Sequence, residues 1–351
     1  MTMKIFFIFM GIVLIGSLGV AWYFQGKQFS LPTGETSTYE IGGPETAAIQ
    51  TMQTQREVLT TDGIKHSIPL NEILSGGPGK DGIPAIDNPK FVSAAEATYL
   101  NDTDPGIGVT VKGESRFYPY RILVWHEIVN DTIAGEPVLV TYCPLCATGI
   151  VFERKVDGEA QEFGVSGRLW QSNLLMYNRP STALGAGARN EENESLWSQV
   201  LGEAVLGVHT GKKLSIVRSD VVRFGEWETT HPDTKVLSQE TGTARDYGRD
   251  PYGDYYTSES VSFGATFSDT RLHPKTLVHG VEINGQYKAY PDEALKTMTG
   301  TLTDIFAGKE IIITRTDPGE IRFTADGKSL ASIPGFWFSW IAVHPETELF
   351  K

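Results

Sequence analysis

Cys143 and Cys146 are the two cysteines of this 351-residue chain, and only Pro144 and Leu145 separate them. A Cys-x-x-Cys pair at the end of a buried strand brings two sulfurs within reach of each other or of one metal ion. The apolar run Val138-Leu-Val-Thr-Tyr142 leads into the pair and Ile150-Val-Phe-Glu-Arg154 follows it, so the expected setting is strand, turn, strand. Four uses stay open: a disulfide bridge, which an oxidising compartment favours, metal ligation, thiol–disulfide exchange, or buried free thiols. A turn between strands lacks the helix N-terminus that usually lowers a thiol pKa, which counts against a thioredoxin-like enzyme.

His126 is the third candidate. It lies in Trp125-His-Glu-Ile-Val-Asn-Asp131, on a helix expected to begin at Pro119 and to precede the cysteine strand directly. Consecutive elements are usually spatial neighbours. Together His126, Cys143 and Cys146 would form a thiolate-rich set suited to one copper or zinc ion. Met176, His209 or a water would complete a tetrahedral site. The competing reading of His126 is a hydrogen-bonded structural histidine.

Other polar residues read as structural. His231 and His344 each precede a proline in a motif that occurs twice, which suits a helix-capping role. The stretch Arg245-Asp-Tyr-Gly-Arg-Asp-Pro-Tyr-Gly-Asp-Tyr-Tyr256 spaces its aspartates by four, without the alternation and closing glutamate of a calcium loop, and reads as a surface loop. Ser166, in Gly164-Val-Ser-Gly167, lacks the nucleophile-elbow spacing. No phosphate loop or dinucleotide fingerprint occurs. With 30 Lys and Arg against 43 Asp and Glu and no basic run, nucleic acid is excluded as an expected partner.

The elements that must position these residues are written twice. Gly108-Val-Thr-Val-Lys-Gly-Glu-Ser-Arg-Phe-Tyr-Pro-Tyr-Arg-Ile-Leu123 aligns without gaps on Gly280-Val-Glu-Ile-Asn-Gly-Gln-Tyr-Lys-Ala-Tyr-Pro-Asp-Glu-Ala-Leu295. Alternating apolar residues around Lys112-Gly113 or Asn284-Gly285 predict a hairpin, and Pro119 or Pro291 predicts the start of a helix. A second motif, Trp227-Glu-Thr-Thr-His-Pro-Asp-Thr234, returns as Trp340-Ile-Ala-Val-His-Pro-Glu-Thr347. The first half holds an insertion of roughly 60 residues between its motifs, and both cysteines fall in that longer half.

Gly and Pro number 37 and 18, which suggests many turns and short strands. The expected fold class is α+β, mainly antiparallel β with short helices, in two pseudo-repeated units preceded by one transmembrane helix. Ile5 to Phe24 carries no charge, and twenty residues at ~1.5 Å rise cross a hydrocarbon core of ~30 Å. A cleaved signal peptide ending near Gly19-Val-Ala21 is the alternative. The expected divisions are an anchor over 1–27, a polar tether over 28–67, a cysteine-bearing unit over 68–265 and a shorter unit over 266–351. The expected location is the outer face of a cell membrane, with the membrane itself as one partner and an envelope protein or small ligand as another.

Several blocks carry a resemblance. Asp81-Gly-Ile-Pro-Ala-Ile-Asp87, His126-Glu-Ile-Val-Asn-Asp131, Thr141-Tyr-Cys-Pro-Leu-Cys146, Phe163-Gly-Val-Ser-Gly167, Ser195-Leu-Trp-Ser-Gln199 and Arg245-Asp-Tyr-Gly-Arg-Asp-Pro-Tyr252 are similar to signature blocks of the domain of unknown function family 3179. The likeness runs from about Ile73 to Tyr256, continues more weakly through the second half, and departs between Arg179 and Glu194. It implies a prokaryotic secreted or membrane-anchored protein and no particular chemistry. Three functions follow as expectations: a metal-binding or redox accessory protein, a non-catalytic binding ectodomain with a Cys143–Cys146 bridge, or an enzyme with a cleft between the two units.

Overall fold

The computed structural model describes residues 36–37, 56–179, 193–267, 269–298, 300–315 and 321–351. The expected anchor over 1–27 and residues 180–192, between Arg179 and Glu194, lie outside these residues. Among the described residues, no helix is long and apolar enough to cross a membrane.

The first half opens with the expected hairpin. Strands β1 (Pro105–Val111) and β2 (Glu114–Pro119) pair antiparallel, with Val111 opposite Glu114. Lys112 and Gly113 both take positive φ, +48° and +85°, as a tight two-residue turn between twisted strands requires. Pro119 caps α1 (Tyr120–His126). Strands β3 (Ile128–Ile133), β4 (Glu136–Cys143) and β5 (Thr148–Glu153) then form an antiparallel sheet, and the cysteines occupy the β4–β5 turn. The insertion follows as β6 (Glu162–Trp170), β7 (Asn173–Arg179), β8 (Ser195–Ser198) and β9 (Glu203–Gly207). Strand β10 (Ser219–Arg223), α2 (Phe224–Thr230) and β11 (Lys235–Leu237) close the half.

The second half repeats the scheme. Strands β12 (Leu277–Ile283) and β13 (Gln286–Pro291) form a hairpin around Asn284-Gly285, at φ +53° and +73°. Helix α3 (Asp292–Lys296) is capped by Pro291. Strands β14 (Thr301–Phe306), β15 (Lys309–Arg315) and β16 (Ile321–Ala325) make the second sheet. Strand β17 (Ser332–Phe336), α4 (Trp337–Val343) and β18 (Glu348–Leu349) complete it.

The sheets share one strand order. In the first half it is β10-β1-β2-β11, extended by Phe91–Ser93; in the second it is β17-β12-β13-β18. Both contain one parallel pair at the same place, β2 with β11 and β13 with β18. The protein is thus mainly antiparallel β with short helices.

The inserted strands build a separate eight-stranded sheet with order Thr36–Ser37, Val58–Thr61, Ile64–His66, β9, β8, β7, β6, Leu74–Ser75. This corrects the expected tether over 28–67, whose last residues belong to the sheet. His66 is the reason: it is buried, bonded to Thr61 Oγ1 at 2.9 Å and to the Ile68 carbonyl at 2.9 Å. A solvated spacer would have left these groups to water.

Candidate functional site

The cysteine turn lies buried in the first half. Cys143 ends β4 opposite Thr148 of β5, and the Cys146 amide donates to the Cys143 carbonyl at 3.1 Å. Both thiols are free and buried. Both point at the Ser172 carbonyl, Cys146 Sγ at 3.3 Å and Cys143 Sγ at 3.9 Å. Around them pack Met176 and Trp197 of the inserted sheet, and Phe336 and Phe338 of the second half. The site therefore draws on all three sheet systems.

A polar net lies beneath the turn. Thr148 Oγ1 donates to Gln199 Oε1 at 2.8 Å, Gln199 Nε2 donates to Thr141 Oγ1 at 3.1 Å, and Asn173 Nδ2 donates to Gln199 Oε1 at 2.9 Å. These residues are almost wholly buried, so each bond fixes its neighbours. Across the junction the Phe336 amide donates to the Cys146 carbonyl at 2.8 Å.

The two sulfurs differ in character. Burial pushes the Cys143 thiol well up, and its bond to Cys146 holds its proton. Burial also opposes a Cys146 thiolate, but the neighbouring Cys143 thiol, Ser339 hydroxyl and Asn173 amide outweigh it and hold Cys146 below the usual thiol range. Ser339 sits in α4, is almost completely buried, and its hydroxyl has no aligned hydrogen-bond partner among the described residues. Glu127 adds a buried carboxyl beside Cys143. Burial first, then the Cys143 sulfur, pushes it well above the usual carboxylate range. It occupies φ +58° at the end of α1, where its carbonyl accepts the Tyr142 amide at 2.8 Å.

His126 is held by other partners. The Pro84 carbonyl can only accept, so Nδ1 donates to it at 2.7 Å. Nε2 then accepts from the Tyr247 hydroxyl at 2.7 Å, and that hydroxyl also meets Thr241 Oγ1 at 2.6 Å. Burial lowers the His126 pKa, the bond to Pro84 opposes this, and the Arg245 charge reinforces it. Both ring nitrogens are engaged in the neutral tautomer, and neither cysteine is among their partners. Among the described residues, no group of three or more His, Cys, Asp or Glu is placed to hold a metal ion. Met176 shares the apolar cluster of the cysteines, whereas His209 faces Lys212 and Asp157. His231 and His344 occupy the C-caps of α2 and α4, as the repeat implied.

Glu127, Ser339 and Asn173 escaped the sequence reading. Glu127 and Gln199 do fall inside the signature blocks quoted above, which was the available signal. Ser339 carries none.

Beside the cysteine turn, a cleft of about 770 Å³ runs between the halves. Tyr142 and Ala147, which flank the Cys-x-x-Cys block, form part of its wall, as do the Tyr247–Asp250 segment and α3 of the second half. The Tyr-rich stretch covers the thiols: the Tyr255 hydroxyl donates to the Leu145 carbonyl at 3.0 Å.

Comparison with known proteins gives one match. No curated protein and no solved structure matches the chain. The model of a family described as "Protein of unknown function (DUF3179)" matches residues 80–347, a span that includes the cysteine turn, the inserted sheet and both Trp-x-x-x-His-Pro motifs. The chain belongs to this family.

Proposed function

We propose that the chain is a dithiol accessory protein of the cell envelope, in which Cys143 and Cys146 pass reversibly between two thiols and one disulfide. The carrying observation is the pair itself: two free, buried thiols separated by two residues, both aimed at the Ser172 carbonyl, with the Cys143, Ser339 and Asn173 side chains near Cys146 holding it below the usual thiol range. Such neighbours favour a Cys146 thiolate, the form that attacks a disulfide. Oxidation removes two protons and two electrons from the pair. A disulfide of a partner protein accepts them and becomes two thiols. Exchange also needs the Tyr252–Tyr256 cover to open, because both sulfurs are enclosed at rest. The uncharged run Ile5–Phe24 would tether the folded part outside the membrane.

A soft ion such as copper(I), held by the same two sulfurs, is the second reading, favoured by their shared orientation toward Ser172. Taking His126 into that site would break the hydrogen bond of the ring nitrogen that ligates, to Tyr247 or to Pro84. Thiol trapping of the purified full-length protein in glutathione buffers of graded ratio separates these readings. One two-electron midpoint, absent in Cys143→Ser, is expected for the dithiol. A pair that stays fully reduced or fully oxidised at every ratio rejects redox cycling. Stoichiometric copper, lost in the same variant, transfers the assignment to the metal.

A further inference from the structure

One two-residue turn breaks a rule that the other turns keep. Among the described residues, nine successive pairs take positive φ, and in eight of them the second residue is glycine, as in Lys112-Gly113 and Asn284-Gly285. The exception is Gln171-Ser172, at φ +52° and +63°, which joins β6 to β7 with Trp170 opposite Asn173. A left-handed pair of this kind favours glycine, and a side chain on both residues stores backbone strain.

This strained turn is the one that faces the thiols. Both sulfurs point at the Ser172 carbonyl, Cys146 Sγ at 3.3 Å and Cys143 Sγ at 3.9 Å, and no other donor reaches it among the described residues. Ser172 is wholly buried, so water does not replace a lost donor. Gln171, also buried, ties the turn to two other segments. Its Oε1 accepts the Thr266 amide at 2.6 Å, and its Nε2 donates to Glu72 Oε2 at 3.0 Å. Thr266 lies at the far end of the segment that begins with the Tyr252–Tyr256 cover, and Val261, Ala265 and Phe267 of that segment pack on the cysteine cluster. The near end is held separately, by the Tyr255 hydroxyl on the Leu145 carbonyl and by the Lys275 ammonium on the Tyr255 carbonyl.

We infer that the Gln171-Ser172 turn is a redox-sensitive switch, which reads the state of the cysteine pair and passes it to residues 259–267. The inference rests on the dithiol reading. In the reduced pair an S–H answers the Ser172 carbonyl and supports the strained turn. Oxidation moves two protons and two electrons from the pair to a disulfide acceptor, forms the Cys143–Cys146 bond and leaves no S–H. The buried carbonyl then lacks a donor, the turn relaxes, and Gln171 withdraws from the Thr266 amide. The cover loosens at that end, so a partner's thiols reach the pair most readily when it is a disulfide.

Hydrogen–deuterium exchange of the full-length protein, read by mass spectrometry on peptides over residues 259–267, tests this. Exchange is expected to be severalfold faster after oxidation by glutathione disulfide than in the reduced protein. Gln171→Ala is expected to exchange fast in both states. Two double variants take away the redox step. Cys143→Ser with Cys146→Ser keeps O–H donors and is expected to stay slow, whereas Cys143→Ala with Cys146→Ala has none and is expected to be fast. Equal exchange in the oxidised and reduced protein, a redox difference that survives in Gln171→Ala, or equal rates in the serine and alanine variants overturns the switch. Thiol trapping of the same samples keeps the two readings apart. A pair that glutathione disulfide leaves reduced rejects the dithiol reading and the switch together; a pair that oxidises without a change in exchange rejects the switch alone.

Discussion

The two halves solve one packing problem with different degrees of enclosure. In each, a glycine at the same hairpin position lies under a tryptophan from the second motif. A Cβ on Gly108 would sit 2.3 Å from Trp227 Cε3, and one on Gly280 2.3 Å from Trp340 Cζ3. In each, a cation on the return strand reaches an aspartate on the next sheet: Arg116 to Asp131 at 2.6 Å, and Lys288 to Asp304 at 2.6 Å. The tyrosine two residues on donates to the same carboxylate, Tyr118 to Asp131 at 2.5 Å and Tyr290 to Asp304 at 2.7 Å. Even the carboxylate's other oxygen is matched, accepting the Thr132 and Ile305 amides. What differs is the insertion, which the first half alone carries in its chain, although its eight-stranded sheet also packs against Val343 of α4. The cysteines lie on the side that gained the cover, which teaches that the repeated frame supplies stability while the insertion and the junction supply the site.

The largest expected effect tests that difference in enclosure. The Asp131 side chain is 5% exposed and Asp304 16%. Asp131→Ala takes one of two carboxylates from a buried guanidinium, which keeps Glu114 at 2.8 Å, and orphans the Tyr118 hydroxyl in a closed site, so it should cost about 3 kcal/mol. Lys288 is as buried as Arg116, but Asp304→Ala vacates the more exposed carboxylate site and lets water in beside the ammonium, so it should cost about half as much. Urea unfolding of both variants at neutral pH checks this. Equal losses would show that enclosure does not separate the halves.

A smaller effect tests what they share. Gly108→Ala and Gly280→Ala each push a methyl into the face of a buried indole, so each should lose about 1–3 kcal/mol, and the two should agree closely. A loss in one variant only, read from the same unfolding curves, would mean that one tryptophan can shift aside and that the repeated contact is not equivalent.

Much of this frame was legible in the sequence because its signals are local. Val109 and Val111 alternate around Lys112-Gly113, Pro119 ends the strand, and the ungapped match to Gly280–Leu295 shows the whole device twice. The strand–turn–strand setting of the cysteines was legible for the same reason. The surroundings of the sulfurs were not. Ser339 arrives from α4 and Asn173 from the inserted sheet, and no spacing rule links them to Cys146. His126 was expected near the thiols from chain order, but its ring is aimed by Pro84 and Tyr247, two residues far away in sequence. Residues 58–66 looked like spacer because polar side chains dominate, whereas their backbone pairs in a sheet and His66 finds buried partners.

The smallest effect concerns the threonine that ends each second motif. Trp227 Nε1 donates to Thr234 Oγ1 at 2.9 Å, whereas Trp340 Nε1 has no partner among the described residues although Thr347 occupies the matching place. Thr347 instead donates to the His344 carbonyl at 2.7 Å, which its own amide also reaches at 3.1 Å. Thr234→Val keeps the volume but strands a buried indole N–H, so about 1–2 kcal/mol should be lost. Thr347→Val removes one of two donors from a carbonyl that keeps the other, so the loss should stay below about 1 kcal/mol. The order follows from which polar group is newly orphaned, since both threonines are almost fully buried. Unfolding curves in which Thr347→Val is the more damaging would mean that the His344 carbonyl, and not the indole N–H, is the group each motif must satisfy.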